Sequence, residues 1–558
     1  MNAVRSIFVA GALAAVAALP NPGHATGAAV EVRVDRGQPA MAGLEALVAR
    51  AGDTALTAFY RERSFAPVWS KGAGVFAPTR ARALQEAVRA SADHALPMRR
   101  FRPDDLAAAL DRPWDAEAEL LFTTVYLDYA RAVNSGALEP RKLDRMIRVR
   151  PVRPEPAVLL GNLVRAVDVG AHLAGLMPKD PAYGTLVARL AELRAAAGRP
   201  DAWGPRLSKG ATLREGDRGS RVAMLRARLE AMGDLPAAPA VPGGEAALVA
   251  TAGEVVAPAV AAERFDAGLA EAVRRFQARH GLNEDGVVGP ATREALNTGP
   301  AERARQVAVN LERIRWNHTR LVGDRIQVNL PDFRVDVIED GAVAFTSRTV
   351  IGKYRHQTVE FSDTMEHMVV NPTWHVPMSI ARNEILPKLR ENPYYLEERN
   401  MSLVGAEDPA LIDWTTVNAA DFPGRIRQAP GPGNALGRVK FMFPNDYAIY
   451  LHDTPQRGLF RRDNRAYSHG CVRVEKPLEL AYALLSGQVD DPERSFRRWR
   501  NTGREIYVVL DQPRPVHLIY RTAFDTAEGL PAYRRDVYRR DALVAEALEK
   551  AGAELPET

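Results

Sequence analysis

Residues Tyr447–Glu475 read YAIYLHDTPQRGLFRRDNRAYSHGCVRVE, and the rest of the chain is best interpreted outward from them. Cys471 lies here and is the only cysteine among 558 residues. Two of the eleven histidines, His452 and His469, lie in the same stretch. A cysteine and a histidine in one short segment are typical of nucleophilic catalysis, so we interpret Cys471 as the nucleophile and His452 as its general base.

A thiol needs activation at neutral pH, because its ordinary pKa of about 8.5 leaves little thiolate. An imidazole that takes the Cys471 proton would form an ion pair and lower the thiol pKa. The acyl oxyanion also needs hydrogen-bond donors, and the backbone amides of the turn His469-Gly470-Cys471 are candidates. Gly470 allows the close approach and the unusual backbone angles that such a turn requires.

Apolar residues alternate upstream of this turn, so the sequence predicts a strand over 447–452. In such a strand Leu451 faces the core, while Tyr450 and His452 share the opposite face. Tyr450 therefore becomes a candidate substrate contact beside the predicted base.

The spacing of these residues resembles the signature of the YkuD-type L,D-transpeptidases, which cross-link peptidoglycan through a cysteine acyl-enzyme. Fifteen residues separate the first histidine from a Ser-His-Gly-Cys-x-Arg motif. The matching positions are His452, Ser468, His469, Gly470, Cys471 and Arg473.

The resemblance implies a role for each matched residue and no cofactor. Cys471 would be acylated, His452 would act as base, and His469 with Gly470 would shape the oxyanion hole. Arg473 would orient the loop or meet a substrate carboxylate, and Ser468 is placed with it among the substrate-binding residues. Carbapenem-type inhibitors would be expected to acylate the same thiol.

A second segment, Asn371–Pro377, resembles the strand that the family places along the donor pocket. Trp374 and His375 within it are candidate substrate contacts, although an indole is also a common core residue. The long insertion that follows, residues 379–437, resembles the capping subdomain of the large, YcbB-like members. Tyr394 and Tyr395 in this insertion are further candidates for substrate contact.

Length and composition favour a multidomain globular protein with an anionic partner. A chain of 558 residues exceeds one ordinary core, so three domains are expected. The formal charge of +5 is mild, and no basic stripe predicts nucleic-acid binding. No cysteine pair or His-Glu-x-x-His motif predicts a metal site.

Residues 1–25 have the pattern of a secretory signal peptide. Arg5 precedes an apolar run, Ile7–Leu19, and Gly23-His24-Ala25 forms a small-x-small cleavage site. The run is short for a membrane span, which makes an uncleaved anchor the weaker alternative. We therefore expect export and a periplasmic location.

Three further regions follow in order, each with a distinct pattern. Residues 46–205 have helical periodicity and resemble the scaffold domain of the YcbB-like members. One predicted helix is capped by Asp115 and ends near Gly136, and another helical run covers Val158–Leu176. Residues 213–297 resemble a three-helix peptidoglycan-binding module, interrupted at 236–262 by an Ala- and Pro-rich insertion. Residues 301–525 form the expected catalytic domain, followed by an extension over 526–558. A helix is predicted at Ala301–Trp316, the period changes to two from Arg325, and Arg504–Phe524 is predicted to form two strands around Pro513 and Pro515.

The predicted fold is therefore multidomain α+β, with a mainly-β sandwich carrying the site. The resemblance implies an L,D-transpeptidase that forms 3→3 cross-links between tetrapeptide stems and releases D-alanine. Donor and acceptor stems would be its partners, with other cell-wall synthesis proteins as candidates. Three alternatives remain open: an L,D-carboxypeptidase or a wall-protein attachment or release enzyme using the same thiol, a non-catalytic peptidoglycan-binding scaffold, and an unrelated cysteine hydrolase.

Overall fold

The computed structural model describes residues 40–70, 78–199, 202–236, 249–251, 254–256, 262–406, 408–526 and 528–558. The predicted signal peptide, residues 1–25, lies outside these described residues. Within the described ranges, none of the helices combines the length and apolar character needed to cross a membrane.

The first region is helical, as its periodicity predicts, and seven of its first eight helices, all except the sixth, pack around one apolar core. The helices are α1 (Leu44–Ala51), α2 (Thr54–Glu62), α3 (Pro78–Ala90), α4 (Pro103–Leu110), α5 (Ala116–Ser135), α6 (Pro140–Leu143), α7 (Pro156–Arg165), α8 (Val169–Ala174) and α9 (Pro181–Ala197). Short 3-10 turns at Ser91–His94 and Met98–Phe101 connect α3 to α4.

Helix α5 has the boundaries that the sequence predicts. The Asp115 side chain caps it by accepting from the Ala118 amide at 2.8 Å, and Gly136 ends it with a φ of 91°. The single helical run expected over Val158–Leu176 is wrong, because α7 ends at Arg165 and α8 begins three residues after Ala166. Asp168 caps α8 and so starts a new helix rather than continuing the old one.

The predicted three-helix module contains α10 (Ser220–Ala231), α11 (Ala267–Arg279) and α12 (Pro290–Asn297). Its core includes the apolar positions that the helical spacing selects, among them Val222, Leu225, Leu229, Val273 and Phe276. Two short described segments of the insertion pair antiparallel as β1 (Val249–Thr251) and β2 (Glu254–Val256). Most of the rest of residues 236–262 lies outside the described residues.

Helix α13 (Pro300–Asn317) joins the helical regions to the sheet. It packs against α9 and α5, and the Glu312 carboxylate accepts from the Leu138 amide and from the Trp316 indole, both at 2.9 Å. Gly136 lies against this indole so closely that a Cβ there would be 2.5 Å from Trp316 Cδ1. The helix therefore fixes the scaffold against the catalytic region.

One large sheet forms the catalytic region, and it closes on itself. The strand order is β12-β5-β13-β11-β10-β6-β14-β3-β4, and β4 also pairs with β5. The strands are β3 (Arg325–Asn329), β4 (Arg334–Glu339), β5 (Ala342–Gly352), β6 (Phe361–Val370), β10 (Val439–Met442), β11 (Leu451–His452), β12 (Ala466–Ser468), β13 (Val472–Val474) and β14 (Ile506–Ile519). The enclosed core and the packed helices α16 (Pro477–Leu485) and α17 (Pro492–Asn501) confirm the predicted multidomain α+β class.

Two strand predictions need correction. The strand expected over 447–452 is limited to Leu451–His452, because Ala448 adopts a left-handed φ of 53° that breaks the extended chain. The two strands expected around Pro513 and Pro515 are one strand, β14, whose pairing with β6 shifts register between Val509 and Arg514. The irregularity accommodates prolines that an even ladder would exclude.

Between β6 and β10 the chain builds a separate layer that we call the lid (residues 374–437). It contains a three-stranded sheet of β7 (Trp374–His375), β8 (Met401–Val404) and β9 (Arg425–Gln428), in the order β7-β9-β8. A helical stretch lies between β7 and β8 and consists of α14 (Met378–Ile380), a π-helical turn (Ala381–Ile385) and α15 (Leu386–Glu391). Buried side chains such as Trp414 give this layer a core of its own.

The C-terminal segment packs into the molecule. β15 (Ala523–Asp525) pairs with β16 (Pro531–Tyr533), and α18 (Arg540–Ala551) follows. Arg540 forms a buried ion pair with Glu360 at 3.4 Å, and Asp541 pairs with Arg313 of α13 at 2.5 Å. The extension therefore holds α13 and the start of β6 together.

Candidate active site

The parallel pairing of β11 with β13 brings the predicted catalytic residues together. Leu451 is opposite Val472, and His452 is opposite Arg473. Cys471 precedes β13 directly, and the Val472 amide donates to the Tyr450 carbonyl at 3.1 Å. The side chains of Tyr450, His452, Cys471 and Arg473 all line one cavity.

His452 is buried and neutral, and a backbone carbonyl orients it. Its Nδ1 lies 2.5 Å from the Asp453 carbonyl oxygen, which can only accept, so Nδ1 carries the proton and Nε2 is the basic atom. Burial lowers the His452 pKa to about 3, and the Arg473 charge contributes in the same direction. The Asp453 carboxylate accepts from the Arg438 and Thr454 amides, so it stabilises the loop and not the imidazole.

The Cys471 thiol is neutral as well. Sγ donates to the Ala448 carbonyl at 3.5 Å, which the left-handed turn at Ala448 directs toward it. Burial raises the Cys471 pKa to about 11. Hydrogen bonds from the Tyr450 amide and hydroxyl and the nearby Arg473 charge act to lower this pKa, but burial has the larger effect. These pKa shifts favour a neutral thiol beside a neutral imidazole in the unliganded site, whereas the sequence predicts a thiolate–imidazolium ion pair.

The loop Ser468–Cys471 is held by its own hydrogen bonds. The Ser468 hydroxyl donates to the Cys471 carbonyl at 2.5 Å and accepts from the Gly470 amide at 3.1 Å. Gly470 has a φ of 120°, a conformation that L side chains rarely adopt. Its amide is therefore used inside the turn and not free for an oxyanion, while the Cys471 amide has no partner among the described residues. Ser468 accordingly shapes the loop, although it also lines the cavity.

His469 connects this loop to the lid. Its Nε2 contacts the Glu384 carboxylate of the π-helical turn and lies 3.2 Å from Lys353 Nζ. Its ring is 4.9 Å from the His356 ring. Burial lowers the His469 pKa, and the Glu384 charge opposes that shift. The position predicted to shape the oxyanion hole is thus also a lid contact.

Arg473 places a positive charge beside the thiol and the imidazole. One guanidinium nitrogen donates to Gln456 Oε1 at 2.6 Å, whereas Nε is buried without a partner in the described structure. A charged donor in this position suits a substrate carboxylate.

The cavity has a volume of about 630 Å³ and lies between the sheet and the lid. The predicted residues Trp374 and His375 line it from β7, and Tyr395 lines it from the lid, while Tyr394 lies outside it. A volume of this size fits a peptide segment of a few residues. Within the described ranges, no group of three or more His, Cys, Asp or Glu side chains is placed to hold a metal ion.

Three family models match the chain. The model described as "L,D-transpeptidase catalytic domain" (YkuD) matches residues 323–494, the "Scaffold domain" model matches 54–190, and the "Putative peptidoglycan binding domain" model matches 218–296. Residues 323–494 therefore contain a YkuD-type L,D-transpeptidase catalytic domain. The resemblance of the His-x15-Ser-His-Gly-Cys-x-Arg spacing to this family is thereby confirmed.

Individual proteins are similar to parts of the chain. A Haemophilus influenzae protein named "Putative L,D-transpeptidase" is 40% identical over 228 residues, which make up 39% of this chain and 45% of that protein. A crystal structure of an L,D-transpeptidase from Xylanimonas cellulosilytica is 15% identical, covers 56% of this chain and 99% of its own, and has a TM-score of 0.17. One from Stackebrandtia nassauensis is 13% identical, covers 56% of this chain and 96% of its own, and has a TM-score of 0.19.

Several residues of the YkuD site are invisible to motif reading. Glu384, Arg399 and Gln456 line the cavity, and Arg399 lies over the Tyr395 ring at 4.6 Å. Only the two lid residues had a sequence signal, since both lie in the insertion predicted to cover the site. Gln456 follows the base by four positions in a loop whose course depends on the β11–β13 pairing.

Proposed function

We propose that this chain is an exported L,D-transpeptidase that joins two peptidoglycan stems by a 3→3 cross-link. The observation that carries the proposal is the convergence of Cys471, His452 and Arg473 on one lid-covered cavity. The match to the family's catalytic model supports the same reaction class.

In the first step Cys471 attacks the carbonyl that links the stem's third residue, a diamino acid such as diaminopimelate, to the terminal D-residue. Because thiol and imidazole are both neutral at rest, His452 Nε2 takes the proton as the C–S bond forms. The tetrahedral oxyanion accepts a hydrogen bond from the Cys471 backbone amide. The C–N bond then breaks, and D-alanine leaves with the proton returned by His452.

In the second step the side-chain amine of another stem's diamino acid attacks the thioester. A C–N bond forms, the C–S bond breaks, and the amine proton passes through His452 to the departing sulfur. Water in place of the amine would give a tripeptide, which is the carboxypeptidase outcome. Carbapenem-type inhibitors would acylate the same sulfur.

Location and recognition belong to the same proposal. The N-terminal signal pattern favours cleavage and a periplasmic enzyme, where its polymer substrate lies. The match to the peptidoglycan-binding model supports docking of residues 218–296 on the wall. Other wall-synthesis proteins remain candidate partners.

The deciding experiment is mass spectrometry of muropeptides after incubation of the mature protein with disaccharide-tetrapeptides. We expect a dimer lighter by one D-alanine than two monomers, absent in Cys471→Ala and retained in the matched surface control Arg145→Gln. Tripeptide alone would replace the proposal by a carboxypeptidase. Full cross-linking by Cys471→Ala would refute the nucleophile, and an unacylated wild-type thiol would favour the non-catalytic scaffold.

A further inference from the structure

A second groove of about 400 Å³ lies beside the thiol cavity, and four parts of the chain build it. The scaffold contributes the segment Arg148–Arg150, and the end of α13 contributes Asn317 together with the following Arg320. The start of β6 and the loop 444–447 complete the walls. We call it the scaffold-side groove.

Tyr447 connects this groove to the reaction centre, because it lines both cavities. Its ring packs edge-on against Phe361 at 5.0 Å. The next residue, Ala448, supplies the carbonyl that accepts from Cys471 Sγ at 3.5 Å. Tyr447, which lines the groove, is therefore adjacent in the chain to Ala448, whose carbonyl accepts the hydrogen bond of the thiol.

The loop between the two cavities is rigidly held. The Asn445 side-chain nitrogen donates to the Phe443 carbonyl at 2.6 Å and to the Ile449 carbonyl at 2.8 Å, while its oxygen accepts from the Tyr447 amide at 3.0 Å. A loop held in this way is preorganised for binding, so a ligand would not have to order it.

The groove carries positive charge that the protein does not neutralise. The side chains of Arg148, Arg150 and Arg320 form no ion pair or hydrogen bond with any described residue, and Arg148 Nε is also buried. The backbone of Arg148 is nevertheless fixed, because its amide donates to the Glu360 carbonyl at 2.8 Å. Guanidinium groups held open in this way are suited to carboxylates.

Two carboxylates line the same groove. Asp363 and Asp446 line it near Tyr447, and the Asp363 pKa is raised by burial and by the neighbouring Glu366 and Asp446 charges. A groove that is lined by both arginines and carboxylates matches a peptide that has free carboxylates and an ammonium group.

We propose that the scaffold-side groove binds the acceptor stem, with its carboxylates on Arg148 and Arg150 and its amine directed over Tyr447 to the thioester. This inference rests on the proposed transpeptidase function. The donor needs the lid-covered cavity, where Arg473 and Arg399 already supply cations, so the acceptor must approach from another side. The amine attacks the thioester carbon, the C–N bond forms as C–S breaks, and the proton reaches sulfur through His452.

The test separates the two half-reactions. A tripeptide stem lacks the terminal D-residue and acts only as acceptor, so a labelled disaccharide-tripeptide measures acceptor binding while tetrapeptide donor is saturating. The variant is Arg148→Gln/Arg150→Gln, and the control is Arg145→Gln, an exposed arginine of the same segment outside the groove. Acylation of Cys471 by tetrapeptide is followed separately by intact mass.

For the double variant we expect wild-type acylation and an acceptor concentration for half-maximal cross-linking about a hundredfold higher, as expected for two lost charge-assisted contacts of about tenfold each. Amidation of the acceptor carboxylates should weaken acceptor binding by the wild-type enzyme to the same extent as the double substitution does. It should not weaken acceptor binding by the double variant further, and this comparison does not depend on the stability of the variant. An unchanged acceptor dependence overturns the assignment, and so does a parallel loss of acylation. A wild-type enzyme that is never acylated refutes the proposed function itself, which is a separate result.

Discussion

The neutral state of Cys471 and His452 predicts a slow and strongly pH-dependent alkylation of the unliganded enzyme. Burial raises the thiol pKa to about 11, whereas a free thiol has a pKa of ~8.5 to 9, so the thiolate fraction at pH 7 is lowered at least a hundredfold. Only the thiolate reacts with iodoacetamide, so the rate should be at least a hundredfold below that of a free cysteine. The rate should also rise about tenfold for each pH unit up to pH ~10, because each unit exposes ten times more thiolate.

Two substitutions distinguish this state from an ion pair. Tyr450→Phe removes a hydroxyl that donates to the thiolate, so it should raise the thiol pKa further and slow alkylation. His452→Asn should leave alkylation near the wild-type rate, because an imidazole with a pKa of about 3 carries no charge to stabilise a thiolate. The same His452 variant should nevertheless lose acylation by tetrapeptide, since that step needs a proton acceptor.

The assay is intact-mass measurement of iodoacetamide adducts between pH 6 and pH 10. A single cysteine in the chain makes the adduct specific for this site. A thermal-unfolding control for each variant shows that the fold is retained. A wild-type rate that levels off at or below pH ~8, together with a large loss in His452→Asn, would establish an ion pair and refute the burial argument.

Three further predictions follow from individual contacts. Glu384→Gln should raise the donor KM about threefold, since this half-exposed carboxylate links the lid to His469, and the lid control Glu391→Gln should not change it. Ser468→Ala should lower kcat about tenfold with little change in KM, because the loop loses two hydrogen bonds. A rise in KM as large as the fall in kcat would contradict a positioning role. Glu119→Ala should lower the free energy of unfolding by about 3 kcal/mol, because the buried donors of Val68, Trp69 and Trp114 lose their acceptor. Denaturant titration measures this change, and a value below about 1 kcal/mol would be inconsistent with the loss of three hydrogen bonds.

Local signals in the sequence predict the elements that local forces decide. Asp115 and Gly136 mark both ends of α5, and Pro477 begins α16, because caps and φ restrictions act within one turn. Asp340 and Gly341 both have positive φ in the turn between β4 and β5, as an Asp-Gly pair predicts.

Elements that depend on distant contacts were not predictable in the same way. Ala448 has no sequence signal for a left-handed φ, yet this residue ends the expected strand and turns its carbonyl toward Cys471. The continuous strand through Pro513 and Pro515 depends on a register shift against β6, which periodicity does not record.

In the candidate site, too, the sequence predicts which residues take part but not how the fold uses them. The motif selects Cys471, His452 and Arg473, but the parallel register of β11 and β13 decides that they share one cavity. The glycine amide expected to face an oxyanion is instead bound by Ser468, since both lie in one tight turn. The protonation states also escape motif reading, because they depend on burial by residues from the lid and the neighbouring strands.

The lid contact at His469 has a physical consequence for how the cavity opens. The Glu384 and Lys353 side chains are 49% and 40% exposed, so these ion pairs contribute only about 1 kcal/mol in water. The lid has its own apolar core and can keep its fold when those pairs break. Breaking these ion pairs would therefore cost little, although they join the lid to His469, which is adjacent to Gly470 and two positions before Cys471.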